Sequence, residues 1–575
     1  MPIHNADIAS IFNEIADLIE IEEANPFRVR AYRNASRTLQ GMGPDVNTLV
    51  EKNEDLTKLP GIGKDLAEKI IEIVKTGRSE ALEKLRKESA PGLTELLKIP
   101  GLGPKRVRAL YHELDIHNSE QLLRAAKDGR IKELPGFGPK TETQILESLV
   151  SHIQRDQRVK LAIAAQYVQP LVAYLKRSKA VDEIVVAGSY RRCKETVGDL
   201  DILVTASQSK DVMDRFANYD EVNEVVSKGS TRATVILRSG IQVDLRVVPQ
   251  DSFGAALHYF TGSKAHNIAV RRLGQQQGLK INEYGVFKGD KLVAGKTEES
   301  VFKSVGLPWI PPEMREDRGE IELAKSGKLP KLVELADLKG DLHAHTKATD
   351  GNSTIEEMAM GAKERGLMYL AVTDHSKHLT VAHGLDARRL AKQGEEIDKL
   401  NEDLKGITLL KGIEVDILED GQLDLPDSAL EKLDMVVIAV HSKFNLSRQK
   451  QTERILRAMD SPYCTILAHP TGRLLQEREH YDVDMPHIIR QARQRGCFME
   501  INSHPERMDL LDTYCQMAKD EGVLISINSD AHSIMNFDNL RYGVGQARRG
   551  WLEKEDVLNT RPLNELRKLL KRVRK

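Results

Sequence analysis

From Leu338 onward, seven short apolar runs recur between helical patterns: KGDLHAH, MYLAVTDH, TLLKGIEVDI, LDMVVIAVH, CTILAHP, CFMEIN and VLISINSD. Runs this short and this apolar do not read as half-solvated strands. Alternating with helices, they call for a parallel sheet covered on both faces. Seven of them over about 240 residues predict a barrel-like β/α domain, a variant of the eightfold barrel. Nearly every run ends in a residue able to hold a metal. His343 and His345 end the first, Asp350 follows in its loop, and His375 ends the second. Glu414 lies near the end of the third, His441 ends the fourth, His469 the fifth, and Asp530 and His532 follow the seventh. Strand C-termini of such barrels meet at one mouth, so these nine side chains are expected to share a site. One such histidine is usually a surface or satisfied core residue; six with three carboxylates at strand ends are not. Imidazole with carboxylate suits Mn²⁺, Zn²⁺ or Fe²⁺, and nine ligands suffice for more than one ion. Clustered ions of this kind lower the pKa of a bound water and clamp the oxygens of a phosphoryl group. Arg507, in EINSHPERMDL, reads equally as a phosphate clamp and as a structural ion pair.

The middle of the chain has a different texture. Ile184 to Ala187, Leu200 to Val204, Ala233 to Leu237 and Ile241 to Val248 read as strands by β-branched content and alternation. A helical pattern from Arg158 to about Lys179, mildly interrupted at Pro170, makes the unit α+β. Within AGSYRRCKETVGDLDILV, Asp199 and Asp201 are two apart on one strand and so face the same side. Asp244, in QVDLRVV on a neighbouring strand, supplies a third carboxylate. Three carboxylates on adjacent strands are what two Mg²⁺ ions need beside a triphosphate. Gly188 and Ser189, on a predicted turn, admit the triphosphate to the backbone, Gly198 precedes the Asp pair, and Arg192 can pair with phosphate charge.

The first 150 residues carry a threefold repeat: LPGIGKDLAEKI, IPGLGPKRVRAL and LPGFGPKTETQI, centred on Pro60, Pro100 and Pro135. Each is hydrophobe-Pro-Gly-hydrophobe-Gly followed by a helix start. The free N–H groups there favour an anion, and the glycines let a phosphate backbone come close. Gly61, Gly63, Lys64, Gly101, Gly103, Lys105, Gly136 and Gly138 are the expected DNA-backbone contacts, gripping without reading sequence. A single copy would read as well as a plain glycine-capped hairpin; three copies favour DNA.

Global charge does not advertise this. Lys and Arg number 85 against 86 Asp and Glu, so any basic surface is local. At 40% hydrophobic and 30% charged, the 575 residues make an ordinary multidomain globular chain rather than a disordered one. The four cysteines form no CxxC pair, which argues against a disulfide scaffold and for a reducing cytoplasm. The longest apolar run, Met435 to Val440, is far short of a membrane span. MPIHNADIASIFNEIADLIE reads as an acidic amphipathic helix without a basic n-region, so no secretory signal is expected.

DLHAHTKATDG, TDHS, Glu414, AVHS, LAHP and SDAH, in this order, resemble the PHP (polymerase and histidinol phosphatase) phosphoesterase domain. The Gly-Ser turn with its three aspartates resembles the nucleotidyltransferases of DNA polymerase family X. YFTGSKAHNIAVR and INEYGVF are similar to that family's thumb. The resemblance implies that Tyr259, Phe260 and Gly262 border the sugar, Asn267 meets the base or minor groove, and Arg271 lies on the template side. NPFRVRAYRNAS and LPGIGKDLAEKI resemble the family's amino-terminal domain, which binds a 5′-phosphate at a gap. Arg28 and Tyr32 then match the phosphate side, and Lys69 the Schiff-base lysine of a deoxyribose-phosphate lyase. Three positions depart from the pattern: Lys264 stands where the vertebrate repair enzyme is acidic, Asp65 where a basic residue is usual, and Phe27 where a histidine is.

The expected architecture is therefore multidomain: an all-α helix-hairpin-helix region, an α+β nucleotidyltransferase palm and thumb, and a distorted (β/α)7 PHP barrel. The expected boundaries are 1–85 for an N-terminal DNA-end-binding, lyase-like domain with the first hairpin and 86–150 for a fingers-type domain with the other two. The palm follows at 151–250, the thumb at 251–315, a linker at 316–336 where the Pro-rich stretch GLPWIPPEMRED (Gly306–Asp317) runs into a charged segment to about Ala336, and the barrel at 337–575. The order resembles bacterial and archaeal family X polymerases that carry their own nuclease. It implies gap-filling DNA repair synthesis from dNTPs on gapped or nicked duplex or primer-template. It also implies a metal-dependent 3′→5′ exonuclease or abasic and 3′-end processing activity in a monomeric, cytoplasmic, nucleoid-associated protein. The alternatives are a small-molecule PHP phosphatase and a DNA-end-binding protein with a degenerate polymerase. The hairpins and dNTP-type site oppose the first, and intact Asp199, Asp201 and Asp244 oppose the second. The tail RPLNELRKLLKRVRK reads as a closing helix with Leu563, Leu566, Leu569, Leu570 and Val573 inward.

Overall fold

The computed structural model describes residues 5–573 except 22–24, 41, 43–45, 89–95, 98, 100–101, 139–140, 144 and 147–157. Contacts divide the chain into two compact units, Met1–Arg158 and Val159–Lys575.

The first unit is helical. Helices Asn5–Ile21 and Pro26–Gln40 pack through Ile8, Phe12, Ile15, Tyr32, Ala35 and Leu39, all nearly solvent-free. Each fully buried Leu or Ile contributes ~1.5–3 kcal/mol by the area removed from water. A second cluster (Leu96, Ile99, Leu102, Val107, Leu110, Leu122, Ile131, Phe137, Ile145) holds the later hairpins. Pro60, Gly61, Pro135 and Gly136 lie on turns, and the apolar residues Ile62, Leu102 and Phe137 face inward; Pro100 lies outside the described residues. Helix Lys64–Thr76 stops at Gly77, whose left-handed backbone (φ 70°) sends its N–H to the Ile73 carbonyl.

The second unit begins with a small ribbon, β1 (Val159–Lys160) against β3 (Thr196–Val197). Around it lies a five-stranded sheet of β2 (Val181–Val186), β4 (Asp199–Ala206), β5 (Val222–Lys228), β6 (Arg232–Leu237) and β7 (Gln242–Val247), in the order β2-β4-β7-β6-β5. β4 and β7 run parallel; the other neighbours are antiparallel. The four expected strands are all present. β5 escaped expectation because it is an exposed edge, with Val225 and Val226 on the surface. Helix Leu161–Lys176 continues unbroken through Pro170, held by its buried face of Ala164, Ala165, Val168, Leu171 and Leu175. Helices Phe253–Thr261 and Lys264–Gln276 follow, then a small sheet of β8 (Lys280–Asn282), β9 (Gly285–Lys288) and β10 (Lys291–Ala294).

Residues 316–336, expected as a linker, form a packed connection. Ile321 and Ala324 of helix Glu320–Lys325, with Leu332, share one core with Val301, Phe302, Ile310, Met314 and Trp551. The Pro and charge content that suggested a linker instead reflects short helical turns and buried ion pairs.

The barrel follows as eight short strands in two parallel sheets. The first contains β11 (Gly340–Asp341), β12 (Tyr369–Val372) and β13 (Thr408–Lys411). The second contains β14 (Glu414–Asp416), β15 (Val437–Ala439), β16 (Ile466–Leu467), β17 (Phe498–Asn502) and β18 (Ile525–Asn528). β13 and β14 are one sequence run interrupted at Gly412–Ile413, so the seven expected runs all appear. Parallel bridges His375–Glu414 and Ala344–Ala531 join the sheets on either side and close the ring. Leu342, Tyr369, Leu410, Val437 and Ile466 fill the interior, and Leu566 and Leu570 of helix Leu563–Val573 pack into the same cluster. Leu563 and Leu569 sit partly buried beside them, while the Val573 side chain lies outside the described residues. No helix among the described residues is long and apolar enough to cross a membrane.

Candidate active sites

The palm site is built by strand register. On parallel β4 and β7, Asp201 lies directly opposite Asp244, and Asp199 opposite Gln242. Burial, and after it the negative charges of Asp199 and Asp244, pushes the Asp201 carboxyl up to about 7. Such crowding calls for a cation. Asp244 is held by a donated hydrogen bond from Thr234 Oγ1 (2.6 Å) and another from Gln242 Nε2 (2.8 Å), with Arg232 at 3.6 Å. Gly188 opens a helical turn, Gly188–Arg191, with φ 63°. A Cβ there would stand 2.7 Å from Asp201 Oδ2, so only glycine leaves the space beside that carboxylate open. Arg192 donates from Nη1 to the Thr261 carbonyl (2.5 Å) and from Nε to Glu316 (3.0 Å). It thereby ties the palm to the end of helix Phe253–Thr261. There, Arg271 lies over the Tyr259 ring at 5.2 Å, Phe260 packs edge-on to Tyr259, and Asn267 donates to the Tyr259 carbonyl (2.7 Å). Asn267 is buried and its Oδ1 has no partner.

The barrel brings together all nine expected ligands. Glu414 is the hub. Its oxygens lie 2.8 Å from His375, 2.9 Å from His469, 3.2 Å from His441, 3.5 Å from His343 and 3.6 Å from His345. Asp530 stands 3.1 Å from His345 and 3.6 Å from His343; Asp350 stands 3.4 Å from His375 and 3.5 Å from His532. Three overlapping sets have one ligand atom each within 4.8 Å of one another: His345, Asp350, His375 and His532; His343, His345 and Asp530; His375, Glu414 and His441. Burial pushes His345 down to about 4, reinforced by His532 and His375. For His532 burial is outweighed by Asp350, lifting it to about 9. Burial also opposes charge on His343, yet Glu500, Asp530 and Glu414 hold it well above the ordinary range. His343 Nε2, both ring nitrogens of His345, His375 Nδ1 and Glu414 Oε2 are buried and make no well-aligned hydrogen bond, for all their close polar neighbours. Donor atoms of this kind, converging at ligand spacing, fit bound metal.

Sequence reasoning missed the groups that orient these ligands. Glu500 holds His343 Nδ1 at 2.7 Å and receives Asn528 Nδ2 and the His469 N–H at 2.8 Å each. Asp416 holds His441 Nδ1 at 3.0 Å. Both leave Nε2 facing the mouth. A charge inside an otherwise apolar run, as in FMEIN, and a second carboxylate two residues after Glu414 were the available signals. Arg507 lies 3.8 Å from Asp530, near enough for either reading of it.

In the N-terminal unit, Gly61 has a left-handed backbone (φ 67°), and Gly63 and Gly103 cap the helices starting at Lys64 and Pro104 with no side-chain cap. A Cβ at Gly63, Gly103 or Gly138 would meet nothing within 4 Å, so these turns present open backbone. Gly136 is also left-handed (φ 84°), and Lys105 opens the Pro104–Leu114 helix. Gly101 lies outside the described residues. Arg28 is exposed, whereas Tyr32 is buried edge-on against Phe12 at 5.5 Å. Lys69 is ion-paired with Asp65 one helical turn earlier.

Comparison with known proteins defines the class first. Family models match in chain order: helix-hairpin-helix domain (3–79), SAM-like helix-hairpin-helix tandem (93–150), DNA polymerase beta palm (158–244), DNA polymerase beta thumb (256–316) and PHP domain (341–530). The DNA polymerase/3′-5′ exonuclease PolX of Bacillus subtilis (strain 168) is 38% identical over 99% of this chain and 100% of its own length. The chain belongs to the bacterial family X DNA polymerases that carry a PHP domain. A probable phosphatase of Thermoanaerobacter sp. (strain X514) is 31% identical over 38% of this chain and 89% of its own. DNA polymerase lambda of Arabidopsis thaliana is 27% identical over 47% of this chain and 55% of its own.

Proposed function

We propose that the chain fills short gaps in duplex DNA from dNTPs at the palm and removes or processes 3′ ends at the barrel. The observation that carries this reading is that one chain holds both sites, Asp201 facing Asp244 beside Gly188, and nine convergent ligands around Glu414. At the palm, Asp199, Asp201 and Asp244 would hold two Mg²⁺, which supply an acidified 3′-hydroxyl and neutralise the leaving pyrophosphate. Gly188 and Ser189 leave room for the triphosphate beside Asp201, with Gly198 next to the Asp pair. Arg192 pairs with its charge, and Tyr259, Phe260, Gly262 and Asn267 border sugar and base. Thr234 and Gln242 keep Asp244 aimed at the same point as Asp201.

At the barrel, the histidines and carboxylates would hold Mn²⁺, Zn²⁺ or Fe²⁺, which supply a low-pKa water as nucleophile and clamp the scissile phosphate. Glu500 and Asp416 fix the tautomers of His343 and His441 so that Nε2 is the ligand. The hairpin glycines with Lys64, Lys105, Arg28 and Arg271 carry the DNA backbone, with gapped or nicked duplex as the substrate of a monomeric cytoplasmic protein. A lyase role for Lys69 rests on the family resemblance alone, and borohydride trapping on a 5′-deoxyribose-phosphate end tests it.

The deciding experiment is one labelled gapped duplex incubated with and without dNTPs, beside a small phosphomonoester. Extension with dNTPs and shortening without them is the expected result. Turnover of the phosphomonoester alone indicates a small-molecule phosphatase, and binding with neither reaction indicates a DNA-end-binding protein.

A further inference from the structure

Arg192 does not wait free for a triphosphate. Its Nε donates to Glu316 Oε1 at 3.0 Å, and the same oxygen also accepts from Arg549 Nη1 at 3.0 Å. The same Arg549 nitrogen donates to the Arg192 backbone carbonyl at 3.0 Å, while Nη2 binds Asp512 at 2.6 Å. Arg549 ends helix Leu540–Arg549 of the barrel domain, so a nuclease-domain cation reaches the palm turn that carries Gly188 and Ser189. The side chains of Arg192, Glu316 and Arg549 are 11%, 14% and 6% exposed, so solvent screens them little. Burial disfavours charge on Glu316, but Arg192, Arg549 and Lys194 outweigh it and hold its carboxyl below the usual range.

We infer that Glu316 is an internal anionic competitor for the Arg192 guanidinium, and that Arg549 of the barrel domain sets how strongly it competes. This rests on the reading that Arg192 pairs with the triphosphate. A carboxylate shared between two guanidinium groups binds each less tightly than it would bind one alone. With Arg549 in place, Glu316 gives up Arg192 to an incoming triphosphate at low cost, and the bond to the Arg192 carbonyl keeps the turn in position meanwhile. Without Arg549, more of the charge of Glu316 falls on Arg192. Glu316 and Arg549 are thus positioning residues that act through Arg192, and the nuclease domain tunes the dNTP affinity of the polymerase.

The prediction is one of sign. In single-nucleotide gap filling by the full-length protein, Glu316→Gln should lower the KM for dNTP and Arg549→Gln should raise it. Each change should be about fivefold, the size of one ordinary net hydrogen bond gained or lost, with kcat little altered. Arg549→Lys should recover part of the loss, and Glu316→Gln/Arg549→Gln should follow Glu316→Gln. A purely structural network would instead raise KM in both single variants or lower kcat in both, and either result overturns the inference, as does an unchanged KM. Arg192→Ala tests the underlying reading separately. If it leaves KM unchanged, the triphosphate role of Arg192 is wrong. If it raises KM while the two variants fail to move oppositely, only the competition is wrong. Nuclease rate on the same preparations reports folding of the barrel; should Arg549→Gln lose it, the direction of the Glu316→Gln shift alone decides.

Discussion

The palm and the barrel both place metal-binding groups at strand ends, but they do so by opposite means. In the palm, two parallel strands in fixed register bring Asp201 and Asp244 face to face, and protein donors already satisfy Asp244. In the barrel, no pair of strands suffices. Candidate ligands arrive from nearly every strand, converge on Glu414, and leave five buried polar atoms without a well-aligned hydrogen bond. The palm is an oxygen-only site organised by hydrogen bonding. On the proposed reading the barrel is an imidazole-rich site that bound ions would complete, and the two should differ in metal, in sensitivity to supporting residues and in the reaction lost on mutation.

The largest separation should come from the palm. Asp199→Ala or Asp201→Ala should cut nucleotide incorporation roughly 10³-fold or more, because a metal-holding carboxylate contributes several kcal/mol to the transition state. Shortening of 3′ ends should remain, since the barrel ligands are independent of these strands. Normal incorporation by both variants would remove the palm from the account.

Metal titration sharpens the contrast next. Incorporation should proceed with MgCl₂ alone, whereas degradation should prefer MnCl₂ by about tenfold or more, because Mg²⁺ favours octahedral oxygen shells and imidazole suits the softer ions. Equal degradation with both salts breaks the ligand-softness argument. At the palm, burial and the neighbouring carboxylates push the Asp201 carboxyl up to about 7, so a proton there competes with the ion. Apparent Mg²⁺ affinity should therefore fall as pH drops below neutrality and level off above it. A pH-independent affinity would contradict the crowded-carboxylate geometry.

Supporting residues should matter somewhat less. Glu500→Gln or Asp416→Asn should reduce nuclease activity or metal content about 10- to 100-fold, leaving incorporation unchanged. Smallest is the hairpin effect. Gly63→Val and Gly103→Val put side chains into open space, so the fold should hold. Duplex affinity should nevertheless drop several-fold for every sequence alike, since backbone contacts carry no sequence information. Affinity altered for one sequence only would indicate base readout.

The same contrast explains what was legible in advance. Barrel ligands stand at the ends of apolar runs, where a histidine or carboxylate is conspicuous, and all nine come together. Asp199 and Asp201 were readable from their spacing, but the match of Asp201 with Asp244 depends on a register between strands some forty residues apart that no local pattern displays. β5 was hidden because an exposed edge strand lacks the alternation that marks a buried one. Glu500 and Asp416 were hidden because an orienting carboxylate looks like any other until its histidine is seen beside it. The packed 316–336 connection shows the limit of composition, because Pro and charge mark turns and ion pairs as readily as flexible linkers.

Whether polymerisation and 3′-end hydrolysis belong to separate sites of one chain is decided by His343→Ala/His345→Ala on a single labelled gapped duplex. Extension should proceed at the wild-type rate when dNTPs are present, with no shortening when they are absent. Shortening at the wild-type rate, or loss of extension along with it in a folded protein, would contradict that separation.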